Sequence, residues 1–109
     1  MSEHYILEGH EPVATDLMTW ARWFESNREQ KRVALDQIGE SKVSTVFLGL
    51  DHSSGDGPPL LFETMTFGGA LSDECERYTT WDEAVAGHAA MCERVRASLG
   101  KGEGNAERS

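Results

Sequence analysis

Residues 42–67, KVSTVFLGLDHSSGDGPPLLFETMTF, decide the fold. Their two flanks, 42–50 and 60–67, are rich in Val, Thr, Phe and Leu, the residues that suit a pleated strand. The segment between them, 51–59, holds two glycines and two prolines and cannot continue either strand. Two β-prone runs across one loop read as an antiparallel pair. Paired face to face, Val46, Leu48, Leu50, Leu60 and Phe62 form one side, expected to be the core. The other side carries Val43, Thr45, Phe47, Leu61, Glu63, Met65 and Phe67, and is also largely apolar. A sheet wetted on that side would read more polar. Phe47, Met65 and Phe67 are therefore expected at an interface, and a homodimer is the simplest cover for a self-complementary patch.

Working outward, residues 32–38 make a further strand, joined to the first by the turn GESK. Residues 4–8, HYILE, read as a short strand before Gly9 and Pro12. CERY, residues 75–78, suits a short edge strand. Two helices complete the pattern. The first, over 16–26 and capped by Thr15 or Asp16, buries Leu17, Trp20, Ala21 and Phe24 at helical spacing. Trp23 sits beside that stripe and is the candidate interface anchor. The second opens on Thr80 and Glu83, which have the spacing of a capping box, with Asp82 at the positive end of the helix dipole. Trp81, Val85, His88, Cys92, Val95 and Leu99 recur along it, and Gly87 leaves room for another backbone. Gly100 is expected to stop it, leaving 101–109 as a disordered tail. The expectation is thus one α+β domain over 1–100: a small, mainly antiparallel sheet of four or five strands with two amphipathic helices.

Composition narrows the function classes. The chain has 109 residues, one ordinary domain. Nineteen acidic residues against ten basic ones leave a net charge of −9. That charge opposes nucleic-acid binding, which needs a basic stripe. It also repels anionic membranes and favours basic protein partners. No apolar run reaches the roughly 20 residues of a membrane span, and the first residues lack the pattern of an export signal. The expected compartment is the cytoplasm. Cys75 and Cys92 are expected to be free thiols there. Four histidines and two cysteines show no spacing of a closed metal site, and no cofactor motif occurs.

The richest polar cluster is the loop holding Asp51, His52, Ser53, Ser54 and Asp56. Its carboxylates and imidazole could bind a ligand, although the spacing is not that of a calcium loop. Local turn formation accounts for Asp51 and Ser53 equally well. Glu63 is the odd residue on an apolar sheet face and needs a donor. His88 lies on the apolar stripe of the second helix, where a histidine is usually hydrogen-bonded in the core. Were His52, Glu63 and His88 to converge, they would make an acid–base or metal site.

VSTVFLGLDHSSGDGPPLLFETMTFGG (43–69), ERYTTWDEAVAGHAAM (76–91) and DLMTWARWFE (16–25) resemble a family of small uncharacterised proteins encoded in tailed-phage and prophage genomes. In that family an aromatic residue follows the L-D-H-x run; Ser54 stands there in this chain. The resemblance implies expression inside a bacterial host and brings no activity. The leading expectation is a non-enzymatic binding protein that engages a host or phage protein, with antagonism of host defence as one form. The alternative is a small-ligand sequestering protein or small enzyme using loop 51–59 with Glu63 and His88. A minor structural component with no discrete site is the third reading.

Overall fold

Gly9 adopts φ +64°, and the chain folds back there into a hairpin of β1 (His4–Glu8) and β2 (Glu11–Thr15). β2 was not expected, because Pro12 argues against a strand. It is tolerated because this sheet has only two strands, so both are edges. The computed structural model describes residues 4–52 and 57–108, with only the backbone described from residue 100 onward. After the hairpin come α1 (Leu17–Ser26), β3 (Arg32–Ile38), β4 (Ser41–Phe47), β5 (Phe62–Phe67), β6 (Cys75–Tyr78) and α2 (Trp81–Arg108). β3 to β6 form a second sheet in sequence order, and every pairing is antiparallel. The protein is an α+β fold. The hairpin is tied to the end of β4 by the Tyr5 N–H, which donates to the Gly49 carbonyl at 2.8 Å.

The register of β4 on β5 overturns the expected faces. Phe47 pairs with Phe62, Thr45 with Thr64 and Val43 with Thr66. A one-residue difference in register exchanges the two faces of one strand relative to the other. Ser41, Val43, Thr45 and Phe47 therefore share the buried face with Phe62, Thr64 and Thr66. Phe47 is 2% exposed and belongs to the core, not to an interface. Met65 and Phe67 do lie on the other face, with Leu35, Val46 and Glu63. Both parities of these strands are apolar enough that composition could not choose between them.

α2 covers the buried face. Its capping box forms as expected: the Glu83 N–H donates to Thr80 Oγ1, and Glu83 Oε1 accepts from the Thr79 and Thr80 N–H groups, all at 3.0–3.1 Å. The buried stripe is Ala84, His88, Met91, Cys92 and Val95, whereas Val85 is 47% exposed. One small residue, Ala84, allows the helix to sit close to Phe62 and Phe47. α2 then continues through Gly100 to Arg108, where a disordered tail was expected. Extending a formed helix gains one hydrogen bond per residue without a new nucleus, so a glycine need not stop it.

α1 is capped by Asp16, whose carboxylate accepts from the Thr19 N–H at 2.8 Å. It packs less deeply than expected, with no fully buried residue. Trp20, Trp23 and Phe24 face the protein, while Leu17 is 56% exposed.

Two apolar clusters result. Leu7, Phe47, Leu61, Phe62 and Ala84 form one, flanked by Tyr5, Trp23 and Phe24; Val43, Met91, Cys92 and Val95 form the other. Between them, in the middle of β4, β5 and α2, lies a polar layer of Thr45, Thr64 and His88.

Candidate functional site

The polar layer is built because three alternating elements each place a hydrogen-bonding group at the same level. Thr45 and Thr64 are direct cross-strand partners, and their hydroxyls lie 2.5 Å apart. His88 descends from α2 onto them, its Nδ1 2.7 Å from Thr45 Oγ1. All three are buried, so each polar atom must find a partner within the protein. The imidazole's other nitrogen reaches out instead. Its Nε2 stands 2.8 Å from Oδ2 of Asp36, which β3 supplies at the rim of the helix–sheet interface. The Cys92 thiol donates weakly to the same carboxylate oxygen at 3.7 Å. The hydrogen bond from His88 holds the Asp36 carboxyl below the usual carboxylate range, with burial opposing. Burial, followed by the charge of Asp36, pushes the Cys92 thiol up.

In neutral form the chain of donors runs one way. Thr45 donates to Nδ1, and Nε2–H donates to Asp36. Carboxylate, imidazole and hydroxyl follow the order of a nucleophilic triad. The hydroxyl cannot act as one, because Thr45 is fully buried beneath α2 and cannot meet a substrate.

The expected convergence of His52, Glu63 and His88 does not occur. Glu63 projects from the sheet face opposite α2, while His88 sits beneath α2. There Glu63 accepts from Arg77 Nε at 3.0 Å and from the Cys75 thiol at 3.2 Å. His52 is exposed beyond β4, its N–H donating to the Leu60 carbonyl. Asp51 accepts from the Leu60 N–H at 3.1 Å, the local turn role that was the alternative to ligand binding. Ser53, Ser54 and Asp56 lie outside the described residues. Trp23 is half-buried, edge-on to Phe47 with ring centres 5.8 Å apart. It borders the core. Gly87 admits the ring of Tyr78, not another backbone. A cleft of about 480 Å³ by the start of α2, where His10 stacks on Trp81 at 3.8 Å, contains none of the expected site residues.

Asp36 was the residue that sequence reasoning missed. It sits in a strand-like run, RVALDQI, with nothing nearby to mark it. The available signal was indirect: a histidine on an apolar stripe, with a cysteine four residues later, needs a polar partner from elsewhere. Only the β3–β4 register, which pairs Asp36 with Val43, supplies it.

Cys75 shows what the open-face cluster does to a thiol. Burial, the hydrogen bond to Glu63 and the Glu63 charge push it from 9.0 up to about 11, against the opposing charge of Arg77. Only the thiolate reacts, and its population rises with pH until the pKa is passed. At pH 8 the native Cys75 is expected to react with iodoacetamide about a hundredfold more slowly than in the urea-unfolded chain. Peptide mass spectrometry over a time course measures both rates; equal rates would show that the Glu63 contact does not hold the proton.

No protein-family model, curated protein or solved structure matches the chain. Among the described residues, no helix is long and apolar enough to cross a membrane.

Proposed function

We propose that the chain is a non-enzymatic binding protein of phage type that engages a host or phage protein inside a bacterial cell. The surface it uses is the sheet face that α2 leaves open. One observation carries this reading: Leu35 and Phe67 are each 44% exposed on that face, beside the half-buried Val46 and Met65. Exposed apolar side chains gathered on one face favour association. Lys42, whose ammonium lies 5.7 Å from the Phe67 ring centre, and the Arg77–Glu63 pair add polar groups to the patch. An apolar centre with polar neighbours is the usual make-up of a protein interface. Antagonism of a host-defence protein is one form such binding takes. Sequestration of a small ligand, or catalysis, by loop 51–59 with Glu63 and His88 loses its support, since those two residues lie on opposite faces of the sheet.

The test is a paired substitution, Leu35→Asp with Phe67→Asp. Both positions are exposed, so the fold is expected to persist. The native chain is expected to form a stoichiometric complex with a host or phage protein, and the double variant to lose it. Sedimentation at low and high salt separates a second copy of the chain from a different partner, because screening relieves repulsion between two chains of charge −9. A native chain that stays monomeric, and holds nothing the double variant does not, would overturn the proposal.

A further inference from the structure

We propose that Asp36, His88 and Cys92 form a three-ligand site for a divalent transition-metal ion of zinc type, with its fourth position open to solvent. This site lies on the α2 side of the sheet and is independent of the open face.

The donor atoms are already gathered. One carboxylate oxygen of Asp36, one ring nitrogen of His88 and the Cys92 sulfur all lie within 4.8 Å of one another. His88 and Cys92 are four residues apart, so they stack on one face of α2 a turn apart. β3 carries Asp36 beneath that turn, with Oδ2 2.8 Å from Nε2 and 3.7 Å from Sγ. Donors around a tetrahedral zinc ion stand about 3.3–3.6 Å apart, as its bond lengths of about 2.0–2.3 Å require. Seating an ion therefore needs Asp36 to draw back from Nε2 by about half an ångström, and the His88 nitrogen and Cys92 sulfur, which lie up to 4.8 Å apart, to close by up to about 1.2 Å. Its side chain is 51% exposed, against 7% for His88, so the mobile ligand is the one at the mouth.

The chemistry of the set selects the ion. Imidazole nitrogen, thiolate sulfur and carboxylate oxygen together suit zinc and its neighbours; calcium and magnesium prefer oxygen alone. Charge also balances: a carboxylate and a thiolate cancel the ion's two positive charges in a half-buried position. The surroundings of His88 complete the case. Ligating histidines are held by a hydrogen bond from the other ring nitrogen, and Thr45, itself held by Thr64, stands at Nδ1.

The protons balance. Without an ion, neutral His88 carries its proton on Nε2 and donates it to Asp36, while Nδ1 accepts from Thr45. With the ion, the Nε2 lone pair binds the metal, and the ring proton sits on Nδ1 and is donated to Thr45 Oγ1. The Thr45 hydroxyl then turns its own proton to Thr64. Cys92 binds as thiolate, so one proton leaves to solvent for each ion bound. Burial and the Asp36 carboxylate both favour the neutral thiol, and the cation must compete with that proton.

The test uses the full chain, freed of metal by a chelator and then titrated with zinc against a chromophoric competitor. One equivalent is expected to bind. Cobalt in place of zinc is expected to give thiolate-to-metal charge-transfer absorption, absent in Cys92→Ser. Asp36→Asn keeps the shape and exposure of the side chain and is expected to weaken zinc by tenfold or more. Nitrogen NMR of His88 is expected to show the proton on Nδ1 once zinc is added. Failure to bind zinc at equimolar concentration overturns the site. So does binding that Asp36→Asn and Cys92→Ser leave unchanged, which would place the ion on surface histidines. If Cys92→Ser fails to fold, the native cobalt spectrum decides, because absorption without the thiolate band also overturns the site.

Discussion

Phe47→Ala is expected to destabilise the protein by about 3–5 kcal/mol, the range for a large aromatic removed from a core. The ring is 2% exposed and lies within 6.0 Å, centre to centre, of the Trp23, Phe24 and Phe62 rings. Its loss would leave a cavity where β4, β5, α1 and the β1–β2 hairpin meet. Small domains hold only about 5–15 kcal/mol in total, so a large share of the stability rests on one side chain. Phe67→Ala, on the open face and 44% exposed, is expected to change stability by less than about 1 kcal/mol. Urea unfolding of the two variants compares them directly. Equal midpoints would show that the β4–β5 register is wrong by one residue, since that shift would put both rings on the same face of the sheet.

Gly49→Ala is expected to cost about 2–5 kcal/mol from two independent sources. The backbone there has φ +75°, a left-handed conformation that costs a residue with a Cβ about 1–2 kcal/mol. An added Cβ would also collide with the Phe24 ring and with Trp20 Nε1, and overpacking of this kind costs about 1–3 kcal/mol. The two aromatics cannot both withdraw, because Phe24 packs at a tilt against both Trp20 and Phe47. Gly57→Ala is the control: its Cβ would meet nothing within 4 Å. A loss of stability for Gly49→Ala that exceeds the roughly 2 kcal/mol the left-handed backbone alone can cost, and that Gly57→Ala does not share, would confirm the close approach. Matching melting temperatures would mean that α1 does not pack on the end of β4.

These two positions show where the sequence was legible. Gly49 reads as the end of a β-prone run, and its neighbours Leu48 and Leu50 read as core. The collision that makes it indispensable comes from α1, whose helical period is plain in the sequence but whose docking site is not. Trp23 illustrates the same limit. It was read as lying outside the Leu17–Trp20–Ala21–Phe24 stripe, yet it faces the protein and Leu17 does not. Helical period identifies a stripe only to within about one residue's rotation, and the direction the helix faces depends on what it meets.

The sequence by itself determined the α+β class, the two helices, the strands β1 and β3 to β6, and the capping box at Thr80 and Glu83. These follow from short-range physics: the alternation of a strand, the period of a helix, and hydrogen bonds that span three residues. Tertiary structure alone decided which sheet face is buried, because Val43, Phe47, Met65 and Phe67 are all apolar and one residue of register separates the choices. It also decided the candidate site. Glu63 and His88, which looked able to converge, are separated by the thickness of the sheet. Asp36 and His88, 52 residues apart, meet at 2.8 Å because a buried imidazole must find partners for both nitrogens, and the register of β3 brings the carboxylate to it.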